Sequence, residues 1–462
     1  MAKINILTKE QRHEAGKSLR EKCLRTSHGE IVLGQGDKRD IVELIEASNE
    51  DRLQNLVPIR HGRMVQSAFA YFRGTAAVQA YDLAGTPSSG IVVQACGDCH
   101  LMNFGGFATP ERNLVFDIND FDETLPAPFE WDLKRLAASF VIAARWRGFK
   151  DDQAREIAVQ TVASYRESMR ERENTGVLEA WYSRITIDDL QALAGDHVDL
   201  SGRVKRKIAE ARKQTHEHVF QKLTAPSRGL PRIVDQPPLL YHVDRKEISD
   251  SVLAAFFQQY RETLAEERRM LFDRFKLVDH ALKVVGVGSV GTRCYVALLL
   301  AAPDDALFLQ VKEARRSVLE PYTGTKPVAH NGQRVVVGQR LMQSASDIFL
   351  GWSRGPAGRD FYVRQLRDMK ISIDIESHTP RVMKAYAKFC GLALARAHDK
   401  AGDAAMIGGY MGSSDQFDEA IGDYSVAYAD QVERDYQTLT QAVRSGRLKS
   451  DLSPSRLETA LR

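Results

Sequence analysis

The pattern of apolar and polar residues divides the 462-residue chain into helical stretches on both sides of a strand-rich stretch. Apolar residues three or four positions apart predict helices over 131–148 and 380–398. Residues 151–225, 246–280 and 334–343 also favour helix. Runs of β-branched and aromatic residues between turns predict strands, over 281–287, 293–300, 307–311, 347–352 and 361–365. This alternation indicates an α+β protein.

A second strand-rich stretch, near residue 100, carries the residues that point most directly to chemistry. A buried strand is predicted over 91–96 and a hairpin over 104–118. The loop between them has the pattern G-D-x-H-x-x-N, which supplies Asp98, His100 and Asn103. On one loop, an aspartate can face a substrate hydroxyl while an asparagine faces a metal. Asp98 and His100 are therefore the candidate catalytic residues, although such residues are also common in plain turns.

Three carboxylates stand at the exit of the hairpin, Asp117 in its last strand and Asp120 and Asp122 just after it. Their mutual repulsion is unfavourable, and a divalent cation would relieve it. We therefore predict a Mg²⁺ site, with Mn²⁺ possible, built from Asn103 and one or more of these carboxylates. Strand alternation puts Asp117 on one face and Asp120 on the other, so the pattern leaves open which of them binds. A solvated acidic turn is the alternative explanation.

A glycine-rich stretch far downstream, G-V-G-S-V-G, supplies Gly286, Gly288, Ser289 and Gly291. A dinucleotide-binding fingerprint would require a helix directly after it, whereas the residues that follow predict a strand. A strand, a glycine-rich loop and a second strand make a hairpin that can fold over phosphates. Lys312 ends the next predicted strand and could reach those phosphates. An ordinary hairpin with a surface lysine is the alternative.

Composition limits the partners. A net charge of +3 and 27% charged residues are ordinary for a globular protein, so we expect neither nucleic acid nor a membrane as partner. No signal-peptide pattern or long apolar run is present, which predicts a cytoplasmic location. The string Cys96-Gly97-Asp98-Cys99-His100 has the form of a haem attachment, or of half a metal or redox site. Packing is the favoured role for these cysteines, and the oligomeric state stays open.

Seven long strings resemble the uncharacterised bacterial family called domain of unknown function 2252. The strings are F-R-G, G-D-C-H-L-M-N-F-G, F-D-I-N-D-F-D-E-T, W-D-L-K-R-L, G-V-G-S-V-G-T-R-C-Y, L-Q-V-K-E-A and G-Q-R-L-M-Q-S-A-S-D-I-F-L-G-W. The family is grouped with the protein-kinase-like fold, so the resemblance implies a bilobal, ATP-binding architecture. The first loop is similar to the catalytic loop of aminoglycoside and choline kinases, with Cys96 where those enzymes usually have histidine.

The resemblance implies roles for the candidate residues. Asp98 would be the catalytic base, Asn103 a metal ligand and Lys312 the phosphate-binding lysine, with Asp120 or Asp117 as the second metal ligand. An active kinase usually pairs this lysine with a glutamate on a nearby helix, but the predicted helix at 334–343 contains no glutamate.

Three further residues have expected roles. Glu313 adjoins Lys312 and is expected to point to the opposite face of the strand. Asp132 is expected either to cap the helix that starts near it or to brace the catalytic loop. His398, at the end of the late helix, is expected to be structural.

The order of the two motifs is reversed relative to an ordinary kinase, because the catalytic loop precedes the glycine-rich loop. A circularly permuted kinase-like fold with extra helices explains this order; an unrelated α+β unit is the alternative. The expected units are an N-terminal helical extension (1–55), a helical lobe with the catalytic and metal loops (56–280), a β-rich nucleotide lobe (281–370) and C-terminal helices (371–462). The expected function is an ATP- and Mg²⁺-dependent phosphotransferase with an unknown hydroxyl acceptor; a nucleotide-binding pseudokinase or an AMP-transferase is the alternative.

Overall fold

The computed structural model describes residues 6–33, 39–194, 202, 206, 208–210, 216–227, 230–243, 249–366, 370, 371 and 373–453. It is 52% helical and 16% strand, which confirms the predicted α+β class. Within the described ranges, no helix combines the length and apolar character needed to cross a membrane.

The helices follow the apolar periodicity of the sequence and several begin at side-chain caps. Thr8, Asp40 and Thr379 each accept a hydrogen bond from an amide of the first turn that follows. The α-helices are α1 (Lys9–Ser18), α2 (Ile41–Ala47), α3 (Val57–Met64), α4 (Ala68–Gly74), α5 (Ala76–Leu83), α6 (Phe129–Trp146), α7 (Asp151–Arg172), α8 (Val177–Tyr182), α9 (Ile187–Ala194), α10 (His216–Leu223), α11 (Asp250–Glu262), α12 (Glu266–Phe272), α13 (Glu320–Thr323), α14 (Asn331–Met342), α15 (Pro380–Ala401), α16 (Ala404–Met411) and α17 (Gln416–Arg444).

The strands pair antiparallel in every sheet. They are β1 (Val92–Ala95), β2 (Phe104–Ala108), β3 (Leu114–Ile118), β4 (Leu125–Pro128), β5 (Ile185–Thr186), β6 (Thr224–Ser227), β7 (Leu230–Ile233), β8 (Leu240–Tyr241), β9 (Lys276–Lys283), β10 (Cys294–Ala302), β11 (Asp305–Glu313), β12 (Gly351–Arg354) and β13 (Asp360–Gln365). The largest sheet has the order β12-β13-β11-β10-β9-β8, and β2-β3-β5, β1-β4 and β6-β7 form smaller sheets. The predicted hairpin at 104–118 corresponds to β2 and β3.

The six-stranded sheet has two different faces because side chains alternate along each strand. Leu309, Val311 and Phe361 lie on what we call the outer face, which packs against α11 and α12. Gln310 and Lys312 lie on the opposite face, which we call the cleft face. The register supports this division, since Lys312 pairs with Cys294 and with Tyr362.

A large helical core lies beside the sheet. Every residue of α6 from Phe129 to Ala144 is buried, as expected for a helix that is apolar on most sides. Helices α7, α15 and α17 pack around it. The core therefore joins N-terminal segments to helices beyond residue 380.

The packing divides the chain differently from the expected boundaries. The boundary expected at 280 falls inside β9, and residues of α11 and α12 such as Phe256 and Phe272 share a core with the sheet. The strand expected at 347–352 is observed as β12 (Gly351–Arg354), which is shorter and begins later in the chain. Residues 347–350 form a turn, in which Oδ1 of Asp347 accepts a hydrogen bond from the amide of Phe349.

Candidate functional site

The loop between β1 and β2 is braced by Asp132 of α6. Its Oδ2 accepts a hydrogen bond from the amide of Cys96 at 2.7 Å, and its Oδ1 accepts one from the amide of Gly97 at 3.0 Å. The Nε2 of His398 lies 3.2 Å from the same Oδ2. Helix α6 begins without a side-chain cap. Of the two roles expected for Asp132, the brace is the one observed, and His398 is a structural part of it.

Asp98 forms an ion pair with Arg135 of α6. The Nε of Arg135 lies 2.6 Å from Oδ1 of Asp98, while 23% of the Asp98 side chain stays exposed. Burial raises the pKa of Asp98 and outweighs the lowering by Arg135; the negative charge of Asp120 raises it further. The carboxylate is therefore both accessible and more basic than an ordinary aspartate, as a proton acceptor requires.

His100 is buried next to this carboxylate. Its Nδ1 accepts from the amide of Met102 at 3.2 Å, and its Nε2 lies 3.8 Å from Oδ2 of Asp98. Burial lowers the pKa of His100 well below its usual value, and the nearby Arg73 and Arg135 lower it further. The imidazole is therefore neutral, and its evident task is to hold the loop conformation beside Asp98.

Asn103 links the loop to the acidic segment that follows the hairpin. Its Nδ2 donates to the carbonyl of Asp98 at 2.6 Å, and its own carbonyl accepts from the amide of Asn119 at 2.7 Å. Because the amide nitrogen is engaged, Oδ1 is the side-chain atom that remains to ligate a cation. A metal bound there would be next to both Asp98 and the acidic segment.

Asp117 is enclosed in the core and paired with Arg396 of α15. The Nη2 of Arg396 lies 2.6 Å from Oδ1, the amide of Ser344 donates to Oδ2 at 2.7 Å, and both charged side chains are fully buried. Both carboxylate oxygens are thus occupied by protein donors. Of the three candidate carboxylates, Asp117 is the one that the structure does not bring to the other site residues.

Asp120 and Asp122 meet Lys312 across the cleft face of the sheet. The Nζ of Lys312 forms an ion pair with Asp122 and lies 3.8 Å from Oδ2 of Asp120. Tyr362, opposite Lys312 in the sheet, donates to Oδ1 of Asp122 at 2.8 Å. The side chains of Asp120 and Asp122 are 34% and 25% exposed. Two motifs nearly two hundred positions apart therefore share one cleft.

Electrostatics ties these three residues together. Burial raises the pKa of Asp120, but Lys312 and Arg364 outweigh it, so this pKa is lowered. Burial lowers the pKa of Lys312, but Asp120 and Asp122 outweigh it and raise the pKa well above its usual value. Lysine therefore supplies the positive charge that the sequence pattern assigned to a metal, so the number of carboxylates alone does not indicate Mg²⁺.

The partner of Lys312 comes from the acidic segment and not from α14. Helix α14 instead contributes Arg334, which donates to the carbonyls of Asp122 and Thr124 at 2.8 and 2.7 Å. Glu313 points away from the cleft, as expected, and pairs with Arg293 and Arg359. The helix beside the sheet thus positions the backbone of the acidic segment.

Two arginines of the N-terminal region hold the glycine-rich loop between β9 and β10: Arg52, in the turn between α2 and α3, and Arg63 of α3. The Nη1 of Arg52 donates to the carbonyls of Gly288 and Val290, each at 2.7 Å. The Nη1 of Arg63 donates to the carbonyl of Gly286 at 2.6 Å. Gly286 and Gly291 have φ of +63° and +86°, which explains glycine at both positions.

These contacts determine which way the peptide amides of the loop point. In a trans peptide, the carbonyl of one residue and the amide of the next point in opposite directions. The amides of Val287, Ser289 and Gly291 therefore point away from the arginines. These amides belong to alternate residues of the loop, and each is a donor that the loop can offer to a phosphate oxygen.

A polar pair occupies the cleft face next to Lys312. The Nε of Arg364 donates to Oε1 of Gln310 at 2.8 Å, and Gln310 Nε2 lies 3.4 Å from Sγ of Cys294. Arg364 also reaches the carbonyl of Asn119 at 3.4 Å. This part of the cleft is therefore lined by hydrogen-bonding groups and a positive charge.

The C-x-x-C string forms a buried cluster behind the loop. Cys96, Cys99 and Asp132 each place a donor atom within 4.8 Å of the others, and all three are buried. Both oxygens of Asp132 already accept backbone amides, and burial raises the pKa of both thiols. The packing role expected of these cysteines stays a prediction.

Comparison with known proteins gives a family but no activity. The family described as "Uncharacterized protein conserved in bacteria (DUF2252)" matches residues 52–442. The chain belongs to this family. The DUF2252 match begins at Arg52 and includes both motifs of the cleft, as well as Arg396.

One curated protein is similar over a short stretch. The GDP-mannose-dependent alpha-mannosyltransferase of Corynebacterium glutamicum is 35% identical over 89 residues, which are 19% of this chain and 20% of that protein. The chain thus spans about a fifth of the length of that relative. No solved structure matches the DUF2252 chain.

Sequence reasoning missed the arginines that organise the site of this DUF2252 protein. They are Arg52, Arg63, Arg135, Arg364 and Arg396. The only signal was position: Arg135 lies three residues after Asp132, so both project from one side of α6 toward the loop. The other four come from distant segments, and no spacing rule connects them to their partners.

Proposed function

We propose that this protein is an ATP- and Mg²⁺-dependent phosphotransferase that acts on a hydroxyl acceptor. The observation that carries the proposal is the meeting of Lys312 with Asp120 and Asp122 beside the loop of Asp98 and Asn103. Phosphoryl transfer requires a base, oxygen ligands for a metal and cations for the phosphates at one place. All three kinds of group are present here.

A circularly permuted, kinase-like bilobal fold is part of the same proposal. The order β9, glycine-rich loop, β10, β11 with Lys312, α14, β12 and β13 is the order expected of a kinase nucleotide lobe. Helix α15, which would lead into the catalytic loop in an unpermuted chain, ends at the brace made by His398 and Asp132. The permutation explains how an N-terminal loop and a C-terminal helix share one site.

Each residue of the cleft has a defined task in this proposal. Asp98 accepts the proton of the acceptor hydroxyl, and Arg135 fixes the direction of its carboxylate. Lys312 exchanges its aspartate contacts for phosphate oxygens, and the amides of the glycine-rich loop donate to the same phosphates.

The residues present also fit Mg²⁺. Oδ1 of Asn103 and the partly exposed carboxylate of Asp120 are oxygen donors of the kind that Mg²⁺ prefers. Bound there, Mg²⁺ would neutralise charge on the phosphates. A cytoplasmic location, where ATP and Mg²⁺ are available, belongs to the same proposal.

One observation favours a second candidate, a nucleotide-binding pseudokinase. Lys312 is paired directly with Asp122, and α14 offers no glutamate that could hold the lysine when a metal takes the aspartates. In such a protein the cleft would bind nucleotide without transferring phosphate. Retention of an accessible Asp98 supports the active enzyme instead.

Measurement of ATP consumption separates these candidates. Purified full-length protein is incubated with ATP, Mg²⁺ and a panel of sugars, amino alcohols and serine peptides, and the products are analysed by mass spectrometry. We expect a gain of phosphate by one acceptor, and loss of turnover in Asp98→Ala by about 10² or more with ATP binding nearly unchanged. Turnover by Asp98→Ala at the wild-type rate would exclude Asp98 as the base. A gain of AMP would identify an AMP-transferase, and binding without any product would identify a pseudokinase.

A further inference from the structure

An apolar pocket lies on the outer face of the six-stranded sheet, on the side away from Lys312. Its volume is about 210 Å³. Aromatic and aliphatic side chains of α11, β10, β11 and β13 make its walls, and three basic side chains also line it, Arg293, Arg359 and His280 of β9. The sheet separates this pocket from the cleft, so it is a distinct site.

The shape of the pocket is set by neighbouring side chains on α11 and on the outer face of the sheet. Phe256 of α11 meets Phe361 of β13 edge to face, with ring centroids 5.7 Å apart, and Phe257 meets Phe256 in the same way at 5.5 Å. Ala297 stands on β10 between bulkier neighbours, where the small side chain leaves space. The walls therefore suit a flat, apolar group.

The charged edge of the pocket carries more positive than negative charge. Glu313 is buried and accepts from Arg359 at 2.9 Å and from Arg293 at 3.2 Å. One carboxylate thus serves two guanidinium groups, which are 32% and 21% exposed. A single negative charge on a ligand would balance the second guanidinium.

Backbone strain marks the same edge. Ala357, which lines the pocket, has φ of +56° in the turn between β12 and β13. A left-handed conformation is unfavourable for alanine and persists only where the surroundings require it. The turn also carries Arg359, so this conformation sets where that guanidinium stands relative to the apolar walls.

We propose that the outer-face pocket binds a small aromatic monocarboxylate. The ring packs on the wall that Phe256 and Phe361 form together and against Ala297, and the carboxylate pairs with Arg359 beside Arg293. A cavity of about 150 Å³ is enough for benzene, so the larger volume here admits a ring with a short acid side chain.

The site is placed to influence the cleft. Arg293 follows the glycine-rich loop within two residues, and Glu313 directly follows Lys312. A ligand carboxylate that draws Arg359 or Arg293 from Glu313 alters the strand ends that carry both cleft elements. Binding itself does not depend on the proposed phosphotransfer, so the two can fail separately.

Binding is tested by calorimetry and saturation-transfer NMR on the full chain, with phenylacetate and 3-phenylpropionate as probes. We expect binding of both acids, and at least about tenfold weaker binding of the neutral analogue 2-phenylethanol. Arg359→Gln should weaken binding of the acids by about tenfold. Ala297→Leu, which fills the pocket, should abolish it.

A matched control is available on the same turn. Arg354 pairs with Asp360 and does not line the pocket, so Arg354→Gln should bind the acids as the wild type does. Thermal unfolding of each variant shows whether it is folded. The proposal is overturned if neither acid binds the wild type, if 2-phenylethanol binds equally well, or if Arg354→Gln weakens binding as much as Arg359→Gln.

Discussion

The acidic segment at the exit of the hairpin, from Asp117 to Asp122, has two ends that differ in how their charges are satisfied. At the core end, Asp117 and Arg396 form an ion pair with no exposed surface. At the cleft end, Asp120 and Asp122 share Lys312 but keep 34% and 25% of their side chains exposed. The first pair is permanent because neither charge can be hydrated. The second is partly hydrated, so it is the end at which our proposal places the exchange of Lys312 from aspartate to phosphate.

Loss of Arg396 should have the largest effect on stability. Arg396→Met leaves a buried carboxylate without its cation, which costs about 3–5 kcal/mol of unfolding free energy. Chemical denaturation measures this value. Arg155 pairs with Asp423 and Glu419 at the surface, so Arg155→Met should cost at most about 1 kcal/mol. Equal losses of unfolding free energy in Arg396→Met and Arg155→Met would show that the buried ion pair contributes no more to stability than a surface pair.

Substitution of Gly291 should have an intermediate effect. Its φ is +86°, and a Cβ would lie 3.0 Å from Cβ of Arg52, so Gly291→Ala should cost about 1–2 kcal/mol from the backbone alone. Gly446, with φ of +78° and open space around it, is the matched control. Gly291→Ala should also weaken ATP binding, because its Cβ presses on the arginine that holds the loop, whereas Gly446→Ala should leave ATP binding unchanged. Equal weakening of ATP binding by both variants would show that the loop conformation at Gly291 has no special effect on the cleft.

Loss of Lys312 should have the smallest effect on stability. In Lys312→Met the two aspartates lose their ion-pair partner, but they are partly hydrated and Arg364 still acts on Asp120, so we expect a cost of about 1 kcal/mol in unfolding free energy. ATP consumption should nevertheless be lost. A cost as large as that of Arg396→Met would mean that the cleft end is as structural as the core end.

Sequence reasoning located the local features of the site and missed the long-range ones. The loop of Asp98 and Asn103, the hairpin and helix α6 follow from spacing and periodicity, because each depends on residues close in sequence. The pairing of Asp117 with Arg396 spans 279 positions. Periodicity tells which face a side chain occupies, but it does not identify the distant cation that meets it.

The same limit explains why the sequence pattern left open which of the carboxylates binds a metal. Strand alternation separated Asp117 from Asp120 without showing which one was buried. The structure resolves this through Arg396 and Lys312, which occupy different carboxylates. It also shows that Lys312 pairs with Asp122 and not with a residue of α14.

Binding of Mn²⁺ with ATP, observed by electron paramagnetic resonance, tests the central claim most directly. One cleft assembled from both motifs predicts that wild-type protein binds the Mn²⁺–ATP complex, and that Asp120→Asn and Lys312→Met each lose it while Arg354→Gln retains it. Retention of full binding by both Asp120→Asn and Lys312→Met would contradict the account.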